Sequence, residues 1–170
     1  DNKNKVKENL KIVKNKIGKK CKDIFLVNQS HSNKFVYIDK NFKFKTKKIN
    51  ADAIITNQIK VPIAVLTADC APILLYDSEK NMIGAIHAGW KDIIKNVINF
   101  MLKKGCKKNN IIAAVGPCIG RASYNVKDDF KKKFIKKDRR NEVFFSNKKN
   151  IIYFDLPNYI KTQLKLNKIT

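Results

Sequence analysis

The chain has 170 residues, 44% of them hydrophobic, enough to bury the core of one globular domain and too few for a multidomain assembly. Lys and Arg number 37 against 14 Asp and Glu, a formal net charge of +23, which brings nucleic-acid binding forward as a function class. Arginine, whose forked guanidinium reads base edges and phosphates, occurs only at Arg121, Arg139 and Arg140. The lysines interleave with Asn and Ile over most of the chain, and residues 51–88 carry only Lys60 and Lys80. The excess is therefore read as solvated surface, and nucleic acid is not the expected partner. No run approaches the roughly 18 apolar residues that a membrane span needs, and no charged-then-apolar leader opens the chain, so a cytoplasmic protein with no membrane partner is expected. Cys21, Cys70, Cys106 and Cys118 are widely spaced with no CxxC pair, which fits reduced thiols better than a disulfide framework or a Cys-only zinc ribbon.

In chain order, Val6, Leu10, Val13 and Ile17 recur at helical spacing ahead of Gly18 and predict a first amphipathic helix. Residues 24–27 and 35–38 are β-prone, and the turn-like Gln29-Ser30-His31-Ser32-Asn33 between them puts His31 on a loop or strand edge. Residues 51–56, 62–67, 73–76 and 82–87 predict four more strands, the last three of the apolar kind buried inside a sheet. Trp90, Ile93, Ile94, Val97, Ile98, Met101 and Leu102 follow a 3.6-residue period that ends near Gly105. Residues 111–115 predict another buried strand, broken at Gly116-Pro117. The last third alternates helices over 128–137 and 156–166 with strands over 142–145 and 151–154. There is no internal repeat and no linker.

Chemistry gathers where the predicted strands stop. Thr67-Ala68-Asp69-Cys70-Ala71-Pro72 puts a thiol beside a carboxylate, and Ile86-His87-Ala88-Gly89-Trp90 puts a histidine between a strand and a helix. The chain has two histidines, His31 and His87. Two imidazoles and a thiolate make a three-ligand zinc set with the open fourth position of catalytic zinc, although no local metal motif links residues 39 and 17 positions apart. Two other readings stay open: Cys70 as a buried core thiol, and Cys70 as a nucleophile with His87 as its base. Gly116-Pro117-Cys118-Ile119-Gly120 is a turn able to present backbone N–H groups to an anion.

The blocks around Cys70 and His87, with Gly116-Pro117-Cys118-Ile119-Gly120 and the following Tyr124 and Val126, resemble the signatures of the YfiH-like family. That family is described both as laccase-domain polyphenol oxidases and as zinc-dependent purine nucleoside phosphorylases. Gln29-Ser30-His31, Asp52-Ala53-Ile54-Ile55-Thr56 and Phe154-Asp155-Leu156-Pro157 extend the likeness over nearly the whole chain. The resemblance implies an α+β fold, a single domain with central mixed β-sheets flanked by helices, similar to the catalytic domain of cytotoxic necrotizing factor. It implies His31, Cys70 and His87 as ligands of zinc, with copper as the alternative. It further implies phosphorolysis of adenosine, inosine, guanosine and methylthioadenosine to base and ribose 1-phosphate, and deamination of adenosine. Cys70, His87 and Asp69 are then the catalytic candidates, and Lys91, Gly116, Cys118 and Tyr124 the candidates for substrate or phosphate. The alternatives are a copper-dependent polyphenol oxidase, a Cys/His hydrolase with a peptidoglycan-editing role, and a basic nucleic-acid binder.

Departures from the family pattern fall at Leu10, where arginine is usual, at Lys91-Asp92, where Arg-Gly is usual, and at Asn125, where Glu is preferred. An ammonium for a guanidinium replaces a phosphate-gripping fork with a point charge. Family members begin earlier and continue further, so residues 1–170 are expected to form one YfiH-like domain without the family's terminal segments.

Overall fold

Apolar runs too short for helices satisfy their backbone groups only by pairing, and those apolar throughout must be covered on both faces. In the computed structural model, which describes residues 2–18, 20–44, 48–89 and 92–169, these runs assemble into one mixed sheet. Among the described residues it has five strands: β1 (Phe35–Ile38), β2 (Ala53–Thr56), β3 (Ala71–Asp77), β4 (Met82–Ala88) and β5 (Ile111–Val115), in the order β1-β2-β4-β3-β5. β1 runs parallel to β2, and the other pairings are antiparallel. β2 is buried at all four positions and sits between β1 and β4. A smaller antiparallel sheet, β6-β8-β7, joins β6 (Asn125–Val126), β7 (Phe145–Lys148) and β8 (Ile151–Phe154).

Helices α1 (Lys3–Ile17), α2 (Ile93–Lys103), α3 (Asp128–Lys137) and α4 (Leu156–Leu166) complete the α+β domain. α2 buries Ile93, Ile94, Val97, Ile98 and Met101, the stripe predicted from its period, in one core with Ala53 and Ile55 of β2, Ile73 and Leu75 of β3 and Ile86 of β4. Ile54, on the opposite face of β2, belongs to a second cluster with Val27, Val36, Ile38, Ala51 and Val61. α4 starts where the Asp155 side chain accepts the Asn158 N–H, and it adds Leu156, Tyr159, Ile160 and Leu164 to the main core. The ring of Phe154, fully buried, lies 5.0–5.6 Å from those of Phe130, Phe134, Phe145 and Tyr159 and ties the small sheet to α3 and α4. Among the described residues no helix is long and apolar enough to cross a membrane.

Several expected elements form differently. Residues 24–27 and 62–67 meet only at the isolated bridge between Phe25 and Ile63. Pro62 has no N–H to lend a ladder, and further along the Gln29 side chain brackets the Leu66 backbone, accepting its N–H at 2.8 Å and donating to its carbonyl at 2.6 Å. A side-chain amide thus fills the place of a neighbouring strand. Residues 139–144 wind into a 3₁₀ segment opened by an Asp138 cap, and strand β7 begins only at Phe145. β6, unanticipated, is two residues long. α1 forms between Asn2 and Gly18 as expected, yet buries no residue, since periodicity announces a helix without specifying what packs on it. Trp90, taken as the start of a helix, lies outside the described residues, and α2 begins at Ile93.

Phe154→Ala should lower the unfolding free energy by about 3–5 kcal/mol, the range for deleting a buried aromatic ring. Val143→Ala, at a side chain 73% exposed, should change it by less than about 0.5 kcal/mol. Urea unfolding of the two variants tests both values.

Candidate metal centre

Three neighbouring strands bring their chemistry to one end of the sheet. Cys70 immediately precedes β3, His87 is the penultimate residue of β4, and Asp52 immediately precedes β2. The register sets Ala71 opposite Ala88 and Ala53 opposite Ile86, and the ladder runs one step further as the His87 N–H donates to the Asp52 carbonyl at 2.8 Å. His31 arrives from the loop before β1, its backbone in the left-handed region at φ 53° and its ring centroid 4.8 Å from that of His87.

One ligand atom from each of His31, Cys70 and His87 lies within 4.8 Å of the others. Around a tetrahedral ion with bonds of about 2.0–2.3 Å, neighbouring ligand atoms stand about 3.3–3.8 Å apart, so side-chain movements of about 1 Å put all three atoms on one ion. The trio is graded in exposure: His87 is buried, Cys70 half-buried and His31 exposed. The open side of the cluster therefore faces solvent at His31.

Asp52, completely buried, organises the cluster. Its carboxylate accepts the backbone N–H groups of Ser30, His31 and Ser32 at 3.3, 3.0 and 2.6 Å, the Ser32 hydroxyl at 2.6 Å and Nδ1 of His87 at 2.9 Å. Burial pushes the Asp52 carboxyl up, but the bonds from Ser32, His87 and Ser30 outweigh it and bring it to about 2. An ionised carboxylate only accepts, so Nδ1 of His87 carries the proton and Nε2 keeps its lone pair for a metal. The sequence showed Asp52 only as part of a family-like segment. Its position at the head of a fully buried strand was the available signal. Gln29 was likewise missed: its grip on Leu66 holds the approach to Cys70 against the loop that carries His31.

The remaining sequence-predicted residues lie around this centre. Asp69 is exposed one residue before Cys70, and its carbonyl accepts the Ile119 N–H at 2.9 Å, which docks the 116–120 turn beside the cluster. The Gly116 N–H is engaged by the Pro72 carbonyl at 2.8 Å, so two N–H groups of that turn are used within the fold. A Cβ on Gly116 would stand 2.8 Å from Cγ of Pro72, a close approach that only glycine permits. Cys118 and Tyr124 are half-buried nearby: burial pushes the Cys70 thiol up, with Asp69, Asp52 and Cys118 adding to it. Burial also raises the Tyr124 hydroxyl, with Cys70 and Asp69 contributing. Lys91 lies outside the described residues; Asp92, its neighbour, pairs with Lys137.

A family model described as multi-copper polyphenol oxidoreductase laccase matches residues 1–170. The chain belongs to this laccase-like family. Within it, 152 residues are 40% identical to a protein of Rickettsia conorii named purine nucleoside phosphorylase, over 86% of this chain and 61% of that protein. A stretch of 130 residues is 32% identical to a protein from an unknown prokaryotic organism named adenosine deaminase, over 71% of this chain and 50% of that one. The crystal structure of the Bacillus licheniformis protein YfiH shares the fold, with a TM-score of 0.83 at 24% identity over 96% of this chain and 66% of that one. The chain thus spans about 61% of the length of the Rickettsia relative.

Asp52→Asn keeps the shape of the side chain while turning an acceptor toward donors into a donor. It should weaken divalent-metal affinity about 10–100-fold, as loss of a partner behind a ligand histidine does, and lower stability by about 1.5–3 kcal/mol. Chelator competition and denaturant unfolding measure the two effects; unchanged metal affinity would mean that Asp52 does not set the His87 ring.

Proposed function

We propose that this laccase-like chain holds one zinc ion through His31, Cys70 and His87 and acts on purine nucleosides, by phosphorolysis to base and ribose 1-phosphate and by deamination of adenosine. The observation that carries the reading is the convergence of two imidazoles and a thiol, one imidazole fixed by a buried carboxylate. The names of the Rickettsia relative and of the adenosine deaminase supply the substrate class. Bound there, zinc would supply Lewis acidity at a position open to substrate.

The chain's own residues divide the remaining work. Asp52 fixes the His87 tautomer. Asp69, exposed beside Cys70, is the carboxylate that would give a proton to the departing base or take one from attacking water. Cys118 and Tyr124 wall the approach. The donor set suits one ion: two histidines and one half-buried thiol do not supply the ligands of a multinuclear copper cluster. Burial, with Asp69 and Asp52 adding to it, disfavours a thiolate at Cys70, and a bound cation would favour it.

One observation favours a second reading. His87 lies between Cys70 and Asp52, the order of groups in a Cys-His-Asp hydrolase. The two readings part at His31, which a triad does not use.

Elemental analysis of the purified protein should find about one zinc per chain, lost in Cys70→Ala and His31→Ala together with at least about 100-fold of the activity on inosine plus phosphate. Full activity in His31→Ala, or activity that survives a chelator and disappears on thiol alkylation, would replace the metal reading with the hydrolase.

A further inference from the structure

β3 and β5 pair antiparallel with Ile73 opposite Val115, and the pairing runs on beyond Val115. The Gly116 N–H donates to the Pro72 carbonyl at 2.8 Å, and the Ile119 N–H donates to the Asp69 carbonyl at 2.9 Å. Between these two bonds the facing segments are equally long, so Cys70 and Cys118 occupy opposite places. Directly opposite residues of an antiparallel pair share a face with Cβ atoms about 4.5–5.5 Å apart, and a disulfide needs about 3.5–4.5 Å. We propose that Cys70 and Cys118 are a dithiol pair that closes to a disulfide under peroxide and takes Cys70 off the metal, a step that rests on the metal reading above.

The other two thiols lie elsewhere. Cys106 is buried with its Sγ 3.8 Å from the Met82 thioether, at the end of β4 away from His87, and Cys21 follows α1 beside Gly18. Cys70 and Cys118 are both half-buried, which leaves them within reach of a small oxidant. Cys118 is also among the groups that act on the Cys70 thiol, as expected for two sulfurs on one side of the paired segments. Closing the pair asks for a movement of about 1 Å. The 116–120 turn has room for it at Gly120, where a Cβ would meet no atom within 4 Å.

The chemistry balances without a further reactant. Cys70, as thiolate, attacks one oxygen of hydrogen peroxide; the O–O bond breaks, the other oxygen leaves as hydroxide and takes up a proton, and Cys70 becomes a sulfenic acid. The Cys118 sulfur then attacks the Cys70 sulfur, the S–S bond forms, and the sulfenic oxygen departs with the Cys118 proton as water. Two thiols give up two electrons, and one peroxide becomes two waters. A disulfide sulfur is no longer the thiolate that a metal takes as ligand, so the centre keeps only its two imidazoles. Cys118 also stops Cys70 at a stage that a thiol reductant reverses, short of the irreversible sulfinic acid.

The test treats zinc-loaded protein with hydrogen peroxide, follows zinc release with a chromogenic chelator, and maps the thiols by mass spectrometry of non-reduced peptides. Wild type should yield peptides joined through Cys70 and Cys118, release its zinc in step with them, and recover both thiols and zinc on addition of dithiothreitol and zinc. Cys118→Ser should load with zinc as wild type does and form no joined peptide. Its Cys70 should run on to the sulfinic acid, so that dithiothreitol no longer restores zinc binding. Cys118→Ala serves if the serine variant does not fold. Wild-type protein whose Cys70 and Cys118 stay unjoined under peroxide overturns the pair and leaves the metal reading standing. Protein that takes up no zinc, or that keeps its zinc after the disulfide has closed, overturns the switch together with Cys70 as a ligand.

Discussion

A single buried carboxylate holds the centre together. Taking a carboxylate out of water costs several kcal/mol, and Asp52 is fully buried with, among the described residues, no lysine or arginine bonded to it. Five donors from two places in the chain offset that cost, and four of them do a second job. The three consecutive N–H groups of residues 30–32 bend the loop around the carboxylate, and in doing so they hold His31 in its left-handed conformation. The fifth donor, Nδ1 of His87, fixes the direction of the other imidazole. One charge thereby sets both rings.

The sheet makes this possible through register. Asp52 and His87 meet because β2 and β4 pair with Ala53 opposite Ile86, and the ladder extends by the His87 N–H to the Asp52 carbonyl. Cys70 joins them because β3 pairs with the other edge of β4. A slip of one residue would turn every side chain of a strand to the opposite face and dissolve the cluster. The registers are held by burial: Ile54 belongs to one core, and Ala53 and Ile55 to the other, so β2 has no alternative seat. The packing of α2 on β2 and β4 is in this sense part of the site.

Much of this was legible in residue order, and the illegible part has a common cause. α2, α3, α4 and β5 follow from local period and length, which a sequence displays directly. His31, Cys70 and His87 were candidates because they are the soft donors that stand where apolar runs end. The partners that orient them were not candidates. Asp52 acts on residues 20 to 35 positions away, and Gln29 on Leu66, 37 away, through contacts that exist only after the strands have paired. The failed strands at 24–27 and 62–67 belong to the same class, since a side-chain amide and a proline decide them rather than β-propensity. α1 is the inverse case: a local pattern that came true as a helix and buried nothing.

The backbone of His31 bears on which chemistry the centre is built for. A non-glycine residue in the left-handed region carries strain of order 1 kcal/mol and persists where surrounding contacts over-determine it. Here the contact that imposes it is the His31 N–H on Asp52, the carboxylate that also steers His87. A thiol hydrolase would gain nothing from that strain, because Cys70, His87 and Asp52 already complete its set without the His31 ring. A three-ligand metal centre gains its third donor from it. The same bond pattern that is redundant for a triad is thus necessary for a metal, and this asymmetry, more than the distances alone, is what favours a metal over the nucleophile.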